Sequence, residues 1–172
     1  MKAIFLFTLA SVSTLVLNAQ NIFINEVMAA NESAIADAEG DYPDWIELYN
    51  DEMFAVDLEG FYLSDDEDEI DKWTFPQMTI PAKGFLVVFA SDKGKIINGE
   101  LHTNFKVSSS GEVLLLSNSS KTKIDQVITE KMEEDQSYGR LPDGAPSFVP
   151  LPEFSPSVSN NAFDYILSLI HI

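Results

Sequence analysis

The sequence has no cysteine and a single arginine, Arg140. Without thiols there is no disulfide, no thiolate nucleophile and no thiolate metal centre, so packing, or packing with a bound ion, must hold the chain together. Positive charge of any kind is scarce: ten Lys and Arg stand against 28 Asp and Glu, for a formal net charge of -18. Nucleic acid is thereby excluded as a partner, because neutralising phosphates takes clustered Lys and Arg. The two histidines, His102 and His171, cannot assemble a zinc cluster. Signatures of catalysis are missing too: there is no G-x-S-x-G, no H-E-x-x-H and no phosphate loop, and paired carboxylates carry no glycosidase signal in so acidic a chain. An enzyme is not expected. Helical periodicity is almost absent, and there is no heptad rod.

What is present begins with Asp44-Trp45-Ile46-Glu47-Leu48-Tyr49-Asn50. At a period of two, Trp45, Glu47 and Tyr49 fall on one face and Ile46 and Leu48 on the other, with Pro43 and Asn50-Asp51 as punctuation. A strand apolar on both faces belongs inside a packed sheet or between sheets. Glu47 breaks the pattern. It is either exposed on the wetter face or held by a partner, since burying a carboxylate unpaired costs several kcal/mol.

The remaining segments read as neighbours of that strand. Ile22 to Val27, Phe54 to Asp57, Phe61 to Ser64, Lys72 to Phe75, Met78 to Pro81, Phe85 to Ala90, Leu101 to Lys106, Glu112 to Ser117 and Lys123 to Ile128 are strand-like, separated by turn chemistry. Met28 to Tyr42 reads as a loop with one helical turn around Glu32 to Ala36, and Ser91 to Glu100 as loop. Many short strands at this spacing predict an all-β, immunoglobulin-like β-sandwich.

Three divisions follow from the ends. Residues 1–19 have the pattern of a signal peptide: Lys2, an apolar run from Ile4 to Leu17, and Ala19 before the candidate cleavage point. That places the protein in the secreted or cell-surface class. The apolar run is short for a bilayer, so no transmembrane segment is expected after signal removal. Residues 20–144 form the domain. Residues 145–172 read as a Pro/Ser/Asn-rich linker and a doubtful tail, whose Leu167 to Ile172 is either a short docking strand or the edge of a reading frame that continues past about Asp164.

The candidate site is acidic. Asp37, Glu39 and Asp41 alternate around Gly40, and Asp44 follows three residues on. Converging carboxylates on a flexible turn suit a hard cation such as calcium, although this is no EF-hand; the alternative is a solvated acidic loop. The run from Asp65 to Glu69 is a second, weaker candidate, able to share a cation if it folds beside the first. Arg140 is expected either to clamp Glu26, Asp44 or Glu47 or to stand exposed on a closing turn. Trp45, Trp73, Phe75 and Phe85 read as core, with an exposed sugar-stacking platform as the alternative. His102 reads as a structural donor.

Several stretches, taken in order, resemble the lamin tail domain as found in exported bacterial proteins. They are Ile24-Asn25-Glu26-Val27, the strand from Asp44 to Asn50, the segment Asp57 to Asp65, Trp73-Thr74-Phe75-Pro76, Thr79 to Gly84, Leu101 to Ser108 and Ser137 to Gly144. The resemblance spans about Ile22 to Gly144 and makes the Asp57 to Asp65 segment a hairpin. It implies an immunoglobulin-like sandwich serving as a non-catalytic binding or adhesion module, with protein or glycan at the cell surface as partner. The alternatives are an accessory domain of a larger secreted hydrolase or kinase-like enzyme, or a carbohydrate-binding module. Neither the ligand nor the oligomeric state follows from the resemblance.

Overall fold

The computed structural model describes residues 21–161, and every regular element in them is a strand. In chain order these are β1 (Ile22–Met28), β2 (Asp44–Asn50), β3 (Val56–Asp57), β4 (Tyr62–Ser64), β5 (Trp73–Thr74), β6 (Thr79–Ile80) and β7 (Phe85–Ala90). They continue with β8 (Ile96–Ile97), β9 (Glu100–His102), β10 (Val113–Ser117), β11 (Lys123–Ile128), β12 (Ser137–Arg140) and β13 (Phe148–Pro150). A seven-stranded sheet runs β13-β12-β1-β2-β7-β9-β8, a four-stranded sheet runs β11-β10-β4-β5, and β3 pairs with β6. All pairs are antiparallel except β7 with β9. Among the described residues no helix is long and apolar enough to cross a membrane.

The core lies between the two larger sheets. Ile46 and Leu48 of β2, Ile24 and Val27 of β1 and Val88 of β7 meet Leu63, Leu114, Leu116 and Val127 from the facing sheet, all buried. Ile24 and Val27 share this face despite being three residues apart because Asn25 is inserted as a bulge: Ile24 stands opposite Leu48, and Glu26 opposite Glu47. The bulge therefore turns Glu26 to the outer face, in register with Glu47.

That outer face is also covered. Met28, Trp45 and Phe89 form a second cluster with Ala34, Ile35 and Val87. The expected helical turn at Glu32 to Ala36 is absent; Asn31 Oδ1 instead accepts the N–H groups of Ala34 and Ile35, at 3.0 and 3.4 Å. This local side-chain turn competes with helix and folds the segment over Trp45.

Other expectations need correcting. The segment Asp57 to Asp65 is not a hairpin, since β3 pairs with β6 and β4 with β10 and β5. Within Ser91 to Glu100, read as loop, Ile96 and Ile97 add an edge strand to β9. The strand expected through Lys106 stops at His102, beyond which Thr103 Oγ1 bonds Phe105 O at 2.6 Å. The stretch after Gly144 does not hang free as a linker: β13 pairs with β12, and residues 151–160 lie across the outer face, burying Leu151, Ser155 and Asn160. Residues 1–19, expected to be a signal peptide, and the tail Leu167 to Ile172 lie outside the described residues.

Candidate functional site

The acidic loop between β1 and β2 closes on itself through Asp37. Its Oδ1 accepts the N–H groups of Glu39 and Asp41 at 2.9 and 3.0 Å. Asp37, Glu39 and Asp41 come together, each offering an oxygen within 4.8 Å of the others. The Lys93 Nζ sits among them, 2.6 Å from Asp37 Oδ2, 2.8 Å from Glu39 Oε2 and 3.0 Å from Asp41 Oδ2. Burial would push the Asp37 carboxyl up, but the Lys93 ammonium and the two backbone donors outweigh it and hold the group below its ordinary value. The Asp37, Glu39 and Asp41 carboxylates in turn raise the pKa of Lys93.

Asp44 is not part of this cluster. Its Oδ1 accepts the Ala30 N–H at 2.8 Å, tying the end of β1 to the start of β2. The second acidic run, Asp65 to Asp71, forms the tip between β4 and β5 and meets other lysines: Lys72 lies 2.7 Å from Asp65 and Lys121 lies 2.6 Å from Asp71. Each acidic segment has its own ammonium.

Arg140 does clamp a carboxylate, though none of those expected. Its Nη2 donates to both oxygens of Asp125 on β11, at 2.8 and 3.0 Å, and its Nε to Ile24 O at 2.9 Å. Asp125 also accepts the Ile24 N–H at 2.7 Å. Glu26 and Glu47 are out of reach because they point to the opposite face of the sheet; Asp44 bonds elsewhere.

Glu26 and Glu47 form a second constellation, which the sequence left unpaired. Both are wholly buried. They stand opposite each other on β1 and β2, flanked in the same row by Gly139 of β12 and Val87 of β7. The covering segment supplies their bonds. Ser155 N–H lies 3.0 Å from Glu26 Oε1, Ser155 Oγ lies 2.9 Å from Glu26 Oε2, and Ser157 N–H donates to Glu47 Oε2. Glu47 Oε1 is buried with no partner. Desolvation raises both carboxyls, and Glu47 is pushed up to about 8 with the neighbouring Glu26 and Asp143 charges adding to the effect. Asp143 anchors the cover as well, its Oδ1 accepting from Asn25 Nδ2 and Asn160 N–H, each at 3.0 Å.

Trp45 and Trp73 are buried, so neither offers a sugar-stacking surface. Phe75 joins the core, and Phe85 is half-buried, stacked on Tyr49 with centroids 5.0 Å apart. His102 Nδ1 lies 2.9 Å from Ser91 Oγ, and its ring stacks on Phe89. Burial lowers its pKa, disfavouring the charged imidazolium.

Two packed β-sheets without a helical layer define an immunoglobulin-like β-sandwich. The Lamin Tail Domain family model matches residues 17–131, and the chain belongs to that family. No curated protein matches it. Lamin tail domains are immunoglobulin-like modules, generally non-catalytic.

Proposed function

We propose that this domain is a non-catalytic binding or adhesion module of a secreted or cell-surface protein. The observation that carries this reading is a division of labour. The buried or nearly buried charged groups Glu26, Glu47, Asp125 and Arg140 bond within the domain, whereas the β2–β3 loop presents Met53 and Phe54 to solvent, 80 % and 55 % exposed. Adjacent exposed apolar side chains on a loop held by a rigid scaffold are what a contact surface requires. Protein or glycan at the cell surface is the partner class. The test is retention on arrayed glycans and on immobilised cell-surface proteins. It should be lost in Met53→Ser/Phe54→Ser at unchanged melting temperature; retention equal to wild type overturns the assignment of the loop.

Calcium enters this reading in a restricted form. A Ca²⁺ ion at Asp37, Glu39 and Asp41 has to displace the Lys93 ammonium, which bonds the same three oxygens. Lys93→Gln should therefore bind Ca²⁺ more tightly than wild type in a calorimetric titration and gain melting temperature with it. No heat from either protein removes calcium from the account. Asp44, bonded to Ala30, takes no part.

A further inference from the structure

The hydrogen bonds around Glu26 and Ser155 need one proton more than the serine hydroxyl supplies. Asn160 Nδ2 donates to Arg140 O at 2.9 Å and Asn25 O at 3.3 Å, which fixes the amide so that its Oδ1 faces Ser155 Oγ, 2.5 Å away. Ser155 Oγ also lies 2.9 Å from Glu26 Oε2. A hydroxyl has one proton, and it cannot donate to two acceptors. The contacts are all satisfied when Glu26 carries the proton: Glu26 O–H donates to Ser155 Oγ, and Ser155 O–H donates to Asn160 Oδ1.

The surroundings agree. Glu47 faces Glu26 across the strand pair, and the other row neighbours, Gly139, Val87 and Val149, are uncharged. The remaining charged groups nearby are Asp143, in the turn after β12, and Glu100, on the rim of the groove that Ser157 lines; both are acidic. Arg140 turns to Asp125 on the other side of the sheet. Two buried, facing carboxyls without a cation cannot both ionise at ordinary cost. Ser157 meanwhile holds a left-handed backbone, φ 68°, unusual for a residue with a side chain, where its N–H reaches Glu47.

We propose that residues 151–160 are a pH-gated strap, latched over the large sheet while the Glu26–Glu47 pair holds protons and released when both carboxylates ionise. Asp143 sets a second anchor through Asn25 and Asn160, so release begins at Ser155 to Ser157. Glu47, pushed up to about 8, puts the change on the alkaline side of neutrality, and Glu26 is displaced in the same direction.

Amide hydrogen exchange of the full chain, corrected for the intrinsic pH dependence of exchange, tests this. Protection of residues 151–160 should fall at least about tenfold between about pH 6 and about pH 9, while Ile46 and Leu48 stay protected. In Glu26→Gln/Glu47→Gln, where the amide introduced at position 26 replaces the O–H donor, strap protection should be the same at both pH values. Equal protection of the wild-type strap at both pH values, or the same loss in the double variant, overturns the proposal. Should the double variant not fold, carbon NMR titration of the wild-type glutamate carboxyls decides: a pair titrating in the ordinary carboxylate range overturns it, and a pair still protonated at neutral pH supports it.

Discussion

Arg140 Nη2 bridges the two carboxylate oxygens of Asp125, at 2.8 and 3.0 Å, joining the closing strand of one sheet to the edge strand of the other. Both side chains are nearly buried, with 6 % and 11 % of their surface accessible. Removing one partner strands the other charge without water. Arg140→Ala should cost about 3–5 kcal/mol by urea unfolding. Arg140→Lys should recover little of it, because one ammonium cannot also reach Ile24 O and Ala145 O. A loss in Arg140→Ala comparable with that of an exposed pair, under about 1 kcal/mol, would contradict this reading.

Gly139 is needed for closeness rather than for backbone freedom. A Cβ built there would lie 2.7 Å from Leu151 Cδ1, 2.8 Å from Asn160 Nδ2 and 2.9 Å from Asn25 O. Gly139→Ala must therefore lift the covering segment or shift β1, at about 1–3 kcal/mol. Limited proteolysis should show earlier cleavage between residues 151 and 160 than in wild type. An unchanged digestion pattern and melting temperature would mean that the segment does not press on β12.

Stability should fall as pH rises through neutrality. The free Glu47 carboxyl titrates near 4.5 and the folded one at about 8, so between those values the folded state keeps a proton the unfolded chain has released. The contribution is complete below about pH 4.5 and lost as pH rises through about 8, with a slope approaching about 1.4 kcal/mol per pH unit. Glu26 acts in the same direction. Asp37, held below its ordinary value, has the opposite sign: its contribution is present above about pH 3.8 and is lost as pH falls below that. Urea midpoints should therefore be higher near pH 5 than near pH 8; a midpoint that rises over that interval would contradict the assignment.

Two aliphatic truncations should separate core from surface. Leu48 is wholly buried between the sheets, and Ile128 is 69 % exposed at the end of β11. Leu48→Ala should cost about 2–5 kcal/mol through lost burial and the cavity left behind. Ile128→Ala should stay within about 0.5 kcal/mol. Thermal or urea unfolding of the pair checks both figures.

The longer strands with turn residues at their ends were legible in the sequence. Asp44–Asn50, Phe85–Ala90 and Lys123–Ile128 begin and end where alternation and turn residues place them. The two-faced character of Trp45 to Tyr49 was legible for the same reason, period-two patterning being local. The strand pairing was not. Nothing local says that β3 pairs with β6 rather than β4, or that Asn25 makes a bulge, because both are decided by partners far along the chain. The acidic loop shows the same limit: alternation brought Asp37, Glu39 and Asp41 together, but Lys93, more than fifty residues on, was invisible as their counter-ion. The covering segment was hidden by its composition. Ser, Pro and Asn are read as linker, yet the same polar atoms are what two buried glutamates need.

β1 lies between β2 and β12 in the large sheet, and its Glu26 is bonded by Ser155, 129 residues later. During synthesis one edge of β1 stays bare until residues 137–160 have left the ribosome. An open strand edge invites pairing with other chains, and closing a loop of that span is slow. How long that edge stays uncovered, and not only the packing of the core, should thus limit how much of this domain folds correctly.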